Sequence, residues 1–363
     1  MGLNLVLVSL GDPDRLTGGN RYNRLVVERA ARHDARISLL SADERPWPRL
    51  LSGGPRLLAR ALAAHPDALL VDSLVTAALA LPVTARRPPV PVIGLLHQPP
   101  GGVGRPDQRA RLQAALDRRF DRAARALIVP GESLAAELRA DGIPAERIRV
   151  VPPGTELAEP AAGIGLGSAA RPAFLCVANW VPNKGLHLLL DAFGHLPGSA
   201  GSLHLVGDPA VDPAYARKLR ARLGLADLLG RVVVHGRRSP EEVAALYAAA
   251  DVFVLPSLGE TYGMAFAEAL AAGLPCVGFR VGHLPDLVQD GVSGYLIEAG
   301  DIPALTAALE RLATDAALRR GMADAARRAG QALPSWDDTA AGVLAVVRAA
   351  LDGPDLPSSE GDA

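Results

Sequence analysis

At 363 residues the chain exceeds one ordinary domain of about 150 residues, which predicts two domains, each able to bury its own core. Apolar residues make up 49% and charged residues 21%, with few aromatics, a composition that excludes wholesale disorder and fits an Ala/Leu/Val-rich α/β protein. A formal charge of −1 supplies no global field for nucleic acid, and no run approaches the roughly eighteen uninterrupted apolar residues that a membrane-spanning helix needs.

The chain opens directly on an apolar run, LNLVLVSL (3–10), without a basic leader region, so a cytoplasmic protein is the expectation. That run is the first predicted strand. ARISLLS (35–41), DALLVDS (67–73), PVIGLLH (91–97), RALIVPG (125–131) and RIRVVPPG (147–154) follow, separated by amphipathic or alanine-rich helical segments. Such alternation predicts a parallel sheet covered by helices on both faces. TELAEPAAGIGLGSAARP, rich in Ala, Gly and Pro, reads as a linker over 155–172. Its GIGLGS (163–168) matches a dinucleotide loop in letters only, because no strand precedes it.

A second set then repeats the rhythm with PAFLCVAN (172–179), SLHLVGD (202–208), RVVVHG (231–236), DVFVLPS (251–257), PCVGF (275–279) and GYLIEAG (294–300). The predicted architecture is α/β, with two successive Rossmann-like doubly wound domains, 1–154 and 173–332, facing across a cleft that holds the ligand. A last helix at about 335–352 is expected to pack back on the first domain, and 354–363 reads as a frayed polar tail. Cys176 and Cys276 sit in apolar strands and read as inert core thiols, too few for a four-ligand metal site.

The densest chemical signal is GETYGMAFAEALAAGLPCVGF (259–279). A strand, a short loop and a helix predicted from about Tyr262 put Glu260 at the strand's carboxyl end and Glu268 about two turns into the helix. On one continuous helix the two would be about 80° and 12 Å apart, too far for one compact group but suited to an extended ligand. Between them Gly263 permits close backbone approach, and the helix start offers N–H groups to a phosphate. A carboxylate for hydroxyls, amides for phosphates and a second carboxylate for hydroxyls together have the shape of a nucleotide sugar. The plainer alternative is a capping glutamate and a solvated helix residue.

The run PSLGETYGMAFAEALAAGLPCVGFRVGHLPDLVQDGVSGYLI resembles the donor-binding segment of the retaining glycosyltransferases of family 4, which have an E-x7-E motif and a GT-B fold. That resemblance implies that Glu260 holds donor-sugar hydroxyls, that Tyr262, Gly263 and Met264 present amides to the diphosphate, and that Glu268 binds the ribose. It implies transfer of a sugar from a nucleoside diphosphate sugar to an acceptor, small-molecule, glycan or lipid-linked, with no metal or other cofactor.

Lys184, in LCVANWVPNKGLHLLLDAF (175–193), stands at a helix entrance where an ammonium can neutralise a departing diphosphate; Lys218 is the only other lysine among 38 Lys and Arg. The family pattern has Arg five residues before this lysine, and here that position is Asn179, able to donate only a neutral hydrogen bond. Gly18 and Gly19 follow the first strand, where the family has a Gly-Gly loop reaching the donor. His97 lies at a strand end where family members carry a histidine near the donor sugar, although a structural hydrogen-bonder is the plainer reading. His283 stands where the family usually has glycine, and lining a sugar pocket or facing solvent both remain open.

Asp12-Pro13-Asp14 spells a D-x-D but reads as a turn. The segment 105–127 is amphipathic, with Leu112, Leu116 and Phe120 on one stripe, and reads as a core-packed helix with a solvated charged face, or alternatively as a peripheral membrane contact. Rival functions are a catalytically impaired sugar-nucleotide-binding protein, a GT-B phosphorylase or epimerase, and a Rossmann oxidoreductase. The last is disfavoured because SLGDPDRLTGGN follows the first strand in place of G-x-G-x-x-G.

Overall fold

The computed structural model describes residues 2–15, 17–103, 107–166 and 170–353; the 354–363 tail and parts of the 105–127 and 163–168 segments lie outside the described residues. The chain divides into two compact units, Met1–Gly154 joined by the stretch from Pro334 onward, and Thr155–Leu333.

In the first unit the strands are β1 (Leu3–Leu10), β2 (Ala35–Ala42), β3 (Ala68–Asp72), β4 (Val92–Leu95), β5 (Ala126–Val129) and β6 (Ile148–Val150). In the second they are β7 (Ala173–Val177), β8 (Ser202–Val206), β9 (Val232–Gly236), β10 (Val252–Leu255), β11 (Cys276–Phe279) and β12 (Gly294–Ile297). Among the described residues these make two six-stranded sheets, ordered β2-β1-β3-β4-β5-β6 and β12-β11-β10-β7-β8-β9, with every pairing parallel. Each strand falls within one of the twelve apolar runs named above, except that β2 continues one residue further, to Ala42. Central strands such as Ala68–Asp72 and Val252–Leu255 are buried at every position, as helices on both faces of a parallel sheet require.

Each sheet begins on an inner strand. The first strand of each unit is flanked by strands that continue the chain to one side and then to the other, so the crossover connections diverge at β1/β3 and at β7/β10. At such a switch point the carboxyl ends of two adjacent strands leave a crevice between their loops.

The helix Trp336–Asp352 belongs to the first unit, and its docking is specific. Ser335 and Asp338 form a capping box at its start, Trp336 meets Tyr22 edge to face at 5.9 Å, and Thr339 Oγ1 donates to the Pro152 carbonyl at 2.9 Å. Residues 155–166 contain no helix or strand, yet Ala161 N–H donates to Glu241 O at 3.0 Å and Leu166 is buried in the second core.

Two expectations need correction. The helix after β10 runs Met264–Ala271, not from Tyr262, because Gly263 takes the left-handed conformation (φ +99°) and starts the helix one residue later. Glu260 therefore lies in a loop and shares no helix with Glu268. The Gln108–Ala123 helix packs Phe120 into the core and keeps Arg109, Arg111, Arg119 and Arg122 exposed, but the expected stripe is not clean: Asp117 and Asp121 are buried while Leu112 is exposed.

Asp117 is satisfied there by Thr76 Oγ1 at 2.7 Å and Gly101 N–H at 2.9 Å. Burial, with Asp117 and Asp141 nearby, pushes the Asp121 carboxyl up to about 8. A carboxyl that binds its proton more tightly folded than unfolded contributes stability that is full below the unfolded value of 3.8 and declines until about pH 8. Asp121→Asn should flatten that decline, and urea midpoints at pH 5, 7 and 8.5 for both proteins measure it.

Candidate functional site

At the second sheet's switch point the loops after β7 and β10 meet. Lys184 closes a short turn, Pro182–Lys184, before the helix Leu186–Gly194, and its Nζ lies 2.5 Å from Glu260 Oε1. Ser257 Oγ donates to the same oxygen at 2.8 Å, and Oε2 has no partner among the described residues. The side chains are 26% and 10% exposed, so the pair is largely shielded yet open at one edge. The two groups given separate tasks by the sequence are thus one ion pair.

Three glycines let these backbones close. Gly185 (φ +66°) would place a Cβ 2.0 Å from the Pro256 carbonyl oxygen, and Gly282 (φ +53°) would place one 1.6 Å from that of Glu260. Gly263 packs on Leu284, which a Cβ would meet at 2.5 Å. Leu258 N–H also donates to Asn183 O at 2.7 Å, tying the β10 loop to the lysine turn. Tyr262 is buried and stacks on His283 with ring centres 5.0 Å apart and planes at 21°. His283 Nδ1 in turn lies 2.9 Å from Asp286 Oδ2.

Met264 begins the helix, whose first N–H groups have no intrahelical acceptor and suit an anion. Glu268, half-buried one turn on, receives the Tyr247 hydroxyl at 3.2 Å. Asn179 follows β7, with its Oδ1 3.4 Å from the Asp208 N–H donor at the end of β8. Lys184, Asn179, Glu260, Tyr262 and Gly263 therefore all belong to loops at the carboxyl edge of the second sheet, and Met264 to the helix start that follows them.

Gly18, Gly19 and His97 belong to the first unit. Gly18 and Gly19 open the helix Gly18–Arg29, capped by Thr17, whose side chain accepts from Asn20 N–H at 3.2 Å. Gly19 has a packing reason: a Cβ there would lie 3.1 Å from the His97 ring. His97, two residues beyond β4, is 14% exposed at its side chain. Its Nε2 lies 2.9 Å from Asn23 Oδ1, and Asn23 Nδ2 donates to Asp72 Oδ2 at 2.5 Å. Burial holds the His97 pKa below its ordinary 6.5, with the Asp72 carboxylate acting in the opposite direction.

Sequence reasoning missed Ser257, Gly185, Gly282, Asn23 and Asp72. Asp72, the last residue of the otherwise apolar run ALLVD, was the one visible hint, since a carboxylate ending a buried strand needs donors nearby. Among the described residues no three His, Cys, Asp or Glu side chains gather as a metal site, and no helix is long and apolar enough to cross a membrane.

Two parallel sheets, each with a crevice at its switch point, are the architecture of GT-B glycosyltransferases, and solved structures agree. A sucrose-phosphate synthase from Thermosynechococcus elongatus superposes with a TM-score of 0.83 at 23% identity, covering 96% of this chain and 98% of that one. HepE of Anabaena, solved with UDP and glucose, gives 0.78 at 20% identity over 96% and 100% of the two chains.

Residues 2–159 match Glycosyltransferase Family 4 and residues 171–315 match Glycosyl transferases group 1. A D-inositol 3-phosphate glycosyltransferase of Xylanimonas cellulosilytica is 30% identical over 291 residues, 73% of this chain and 67% of its own. This chain belongs to that glycosyltransferase family. It spans about half the length of other curated relatives, 50% and 48% in the proteins of the same name from Acidothermus cellulolyticus and Segniliparus rotundus.

Gly282→Ala should disturb the Glu260 loop at its backbone. The left-handed conformation and the collision with the Glu260 carbonyl together predict a loss of about 1–3 kcal/mol. Chemical denaturation of the variant against wild type measures it.

Proposed function

We propose that the protein is a retaining glycosyltransferase that moves a sugar from a nucleoside diphosphate sugar to a hydroxyl acceptor without a metal ion. The observation that carries this reading is the Lys184–Glu260 pair at the switch point of the second sheet, beside the first N–H groups of the Met264–Ala271 helix. Family membership and the UDP and glucose bound by HepE support it.

In this reading Glu260 Oε2 engages sugar hydroxyls, Glu268 the ribose, and the amides of Tyr262, Gly263 and Met264 the diphosphate, while His97, in the first unit, offers its ring to a substrate hydroxyl. Breaking the anomeric C–O bond leaves an electron pair on the diphosphate. Lys184 and the helix-start amides stabilise that charge where it develops, which is the main electrostatic task of such a site. Because Lys184 is paired with Glu260 Oε1, a diphosphate arriving at Nζ competes for the ammonium and loosens its hold on that oxygen, which Ser257 Oγ continues to orient. Asn179 adds at most a neutral donor beside the diphosphate. Loops of the 10–30 region select the acceptor, which is a small molecule, a glycan or a lipid-linked sugar. In the 105–127 segment the buried Phe120 favours core packing over membrane docking.

Lys184→Ala and Glu260→Ala should each reduce transfer by more than about a hundredfold while the folded state persists, as loss of a transition-state charge partner does. Near-normal turnover in either variant overturns the assignment. Thermal shifts with UDP-, GDP- and ADP-sugars identify the donor, since a bound ligand raises stability with its concentration over Kd. Donor hydrolysis without acceptor separates an enzyme from a binding protein.

A further inference from the structure

We infer that Asp72, acting through Asn23, fixes the tautomer of His97 so that its Nδ1 is a hydrogen-bond acceptor for a substrate hydroxyl. The inference rests on the reading above for the substrate, but not for the tautomer.

The chain of hydrogen bonds starts at a fully buried carboxylate. Asp72 has no exposure, and donors surround it: Leu74 N–H reaches Oδ1 at 2.8 Å, Ser73 Oγ reaches Oδ1 at 3.3 Å, and Ser9 Oγ reaches Oδ2 at 3.3 Å. A carboxylate only accepts, so the Asn23 group 2.5 Å from Oδ2 must be its NH2. The other half of that amide, the carbonyl Oδ1, then faces His97 Nε2 at 2.9 Å. A carbonyl oxygen also only accepts, so Nε2 must carry the hydrogen. In a neutral imidazole the second nitrogen, Nδ1, is then a bare lone pair.

Orientation is fixed as firmly as protonation. The ring lies 5.0 Å from Tyr22 on one side and against Gly19 on another, where no side chain intervenes. His97 N–H donates to Ser73 Oγ at 3.2 Å, so the backbone is tied to the same Asp72 cluster as the ring. Nδ1 bonds to no described residue. A lone pair so presented accepts from a hydroxyl and repels a phosphate or carboxylate oxygen. That makes His97 a selector of the sugar's hydroxyl over any anionic substituent, and makes Asp72 and Asn23 positioning residues.

Two-bond proton–nitrogen correlation spectra of 15N-histidine protein at neutral pH read the tautomer directly, with the His97→Gln spectrum assigning the signal. Wild type is expected to show a single Nε2–H tautomer. In Asp72→Asn, an isosteric change, both amides are free to turn, and a mixture is expected. The swap Asn23→Asp with Asp72→Asn restores a carboxylate accepting from Nε2–H, and should return the single tautomer. An Nδ1–H or charged ring in wild type, or an Asp72→Asn spectrum identical to wild type, overturns the inference.

Turnover supplies the second arm. Asp72→Asn should lower kcat/KM by about three- to tenfold, the worth of one hydrogen bond, and the swap should recover most of it. A pinned tautomer with unchanged kinetics in Asp72→Asn overturns the positioning role. Absence of transfer in wild type itself would instead defeat the glycosyltransferase reading and leave the tautomer to be judged on the spectra alone.

Discussion

Parallel pairing is the constraint on which the rest of the structure depends. Strands that all run the same way must all end on the same edge of the sheet, and each needs a crossover helix to return to the start. Every loop that leaves a strand's carboxyl end is thereby delivered to one rim. In the second unit β7 and β10 are neighbours although some 75 residues of chain separate their ends, and Lys184 and Glu260 meet only because of that adjacency.

Holding two such loops together is a backbone problem before it is a side-chain one. Gly185 and Gly282 accept left-handed conformations and leave the space that a Cβ would fill with carbonyl oxygens of the neighbouring loop. Polar contacts then set the side chains: Ser257 and Lys184 converge on a single oxygen of Glu260. Two donors on one oxygen orient the Glu260 carboxylate and leave Oε2 without a partner among the described residues.

The first unit handles buried charge differently. Asp72 is fully enclosed and hydrogen-bonded from several sides, whereas Asp121, also enclosed, is neutralised by its raised pKa. The contrast follows from their surroundings. Asp72 sits at a strand end among N–H and hydroxyl donors, and Asp121 sits on the buried face of a helix near two other carboxylates, whose effect with burial outweighs that of Arg118 and Arg122.

Much of this was legible in the residues. Twelve apolar runs of strand length separated by helical periodicity determine two parallel α/β units, because a chain with that pattern can bury both faces of its strands in no simpler way. The spacing of Glu260, Gly263 and Glu268 determines that a helix start lies between two carboxylates. Distances along the chain say nothing, however, about which strand ends become neighbours. That Lys184 pairs with Glu260, that Tyr262 stacks on His283, and that Asp72 speaks to His97 through Asn23 were decided by strand order and by the glycines that let loops touch. Periodicity reports each residue's own burial, while a site is made of contacts between residues far apart in sequence, and only the tertiary fold specifies those.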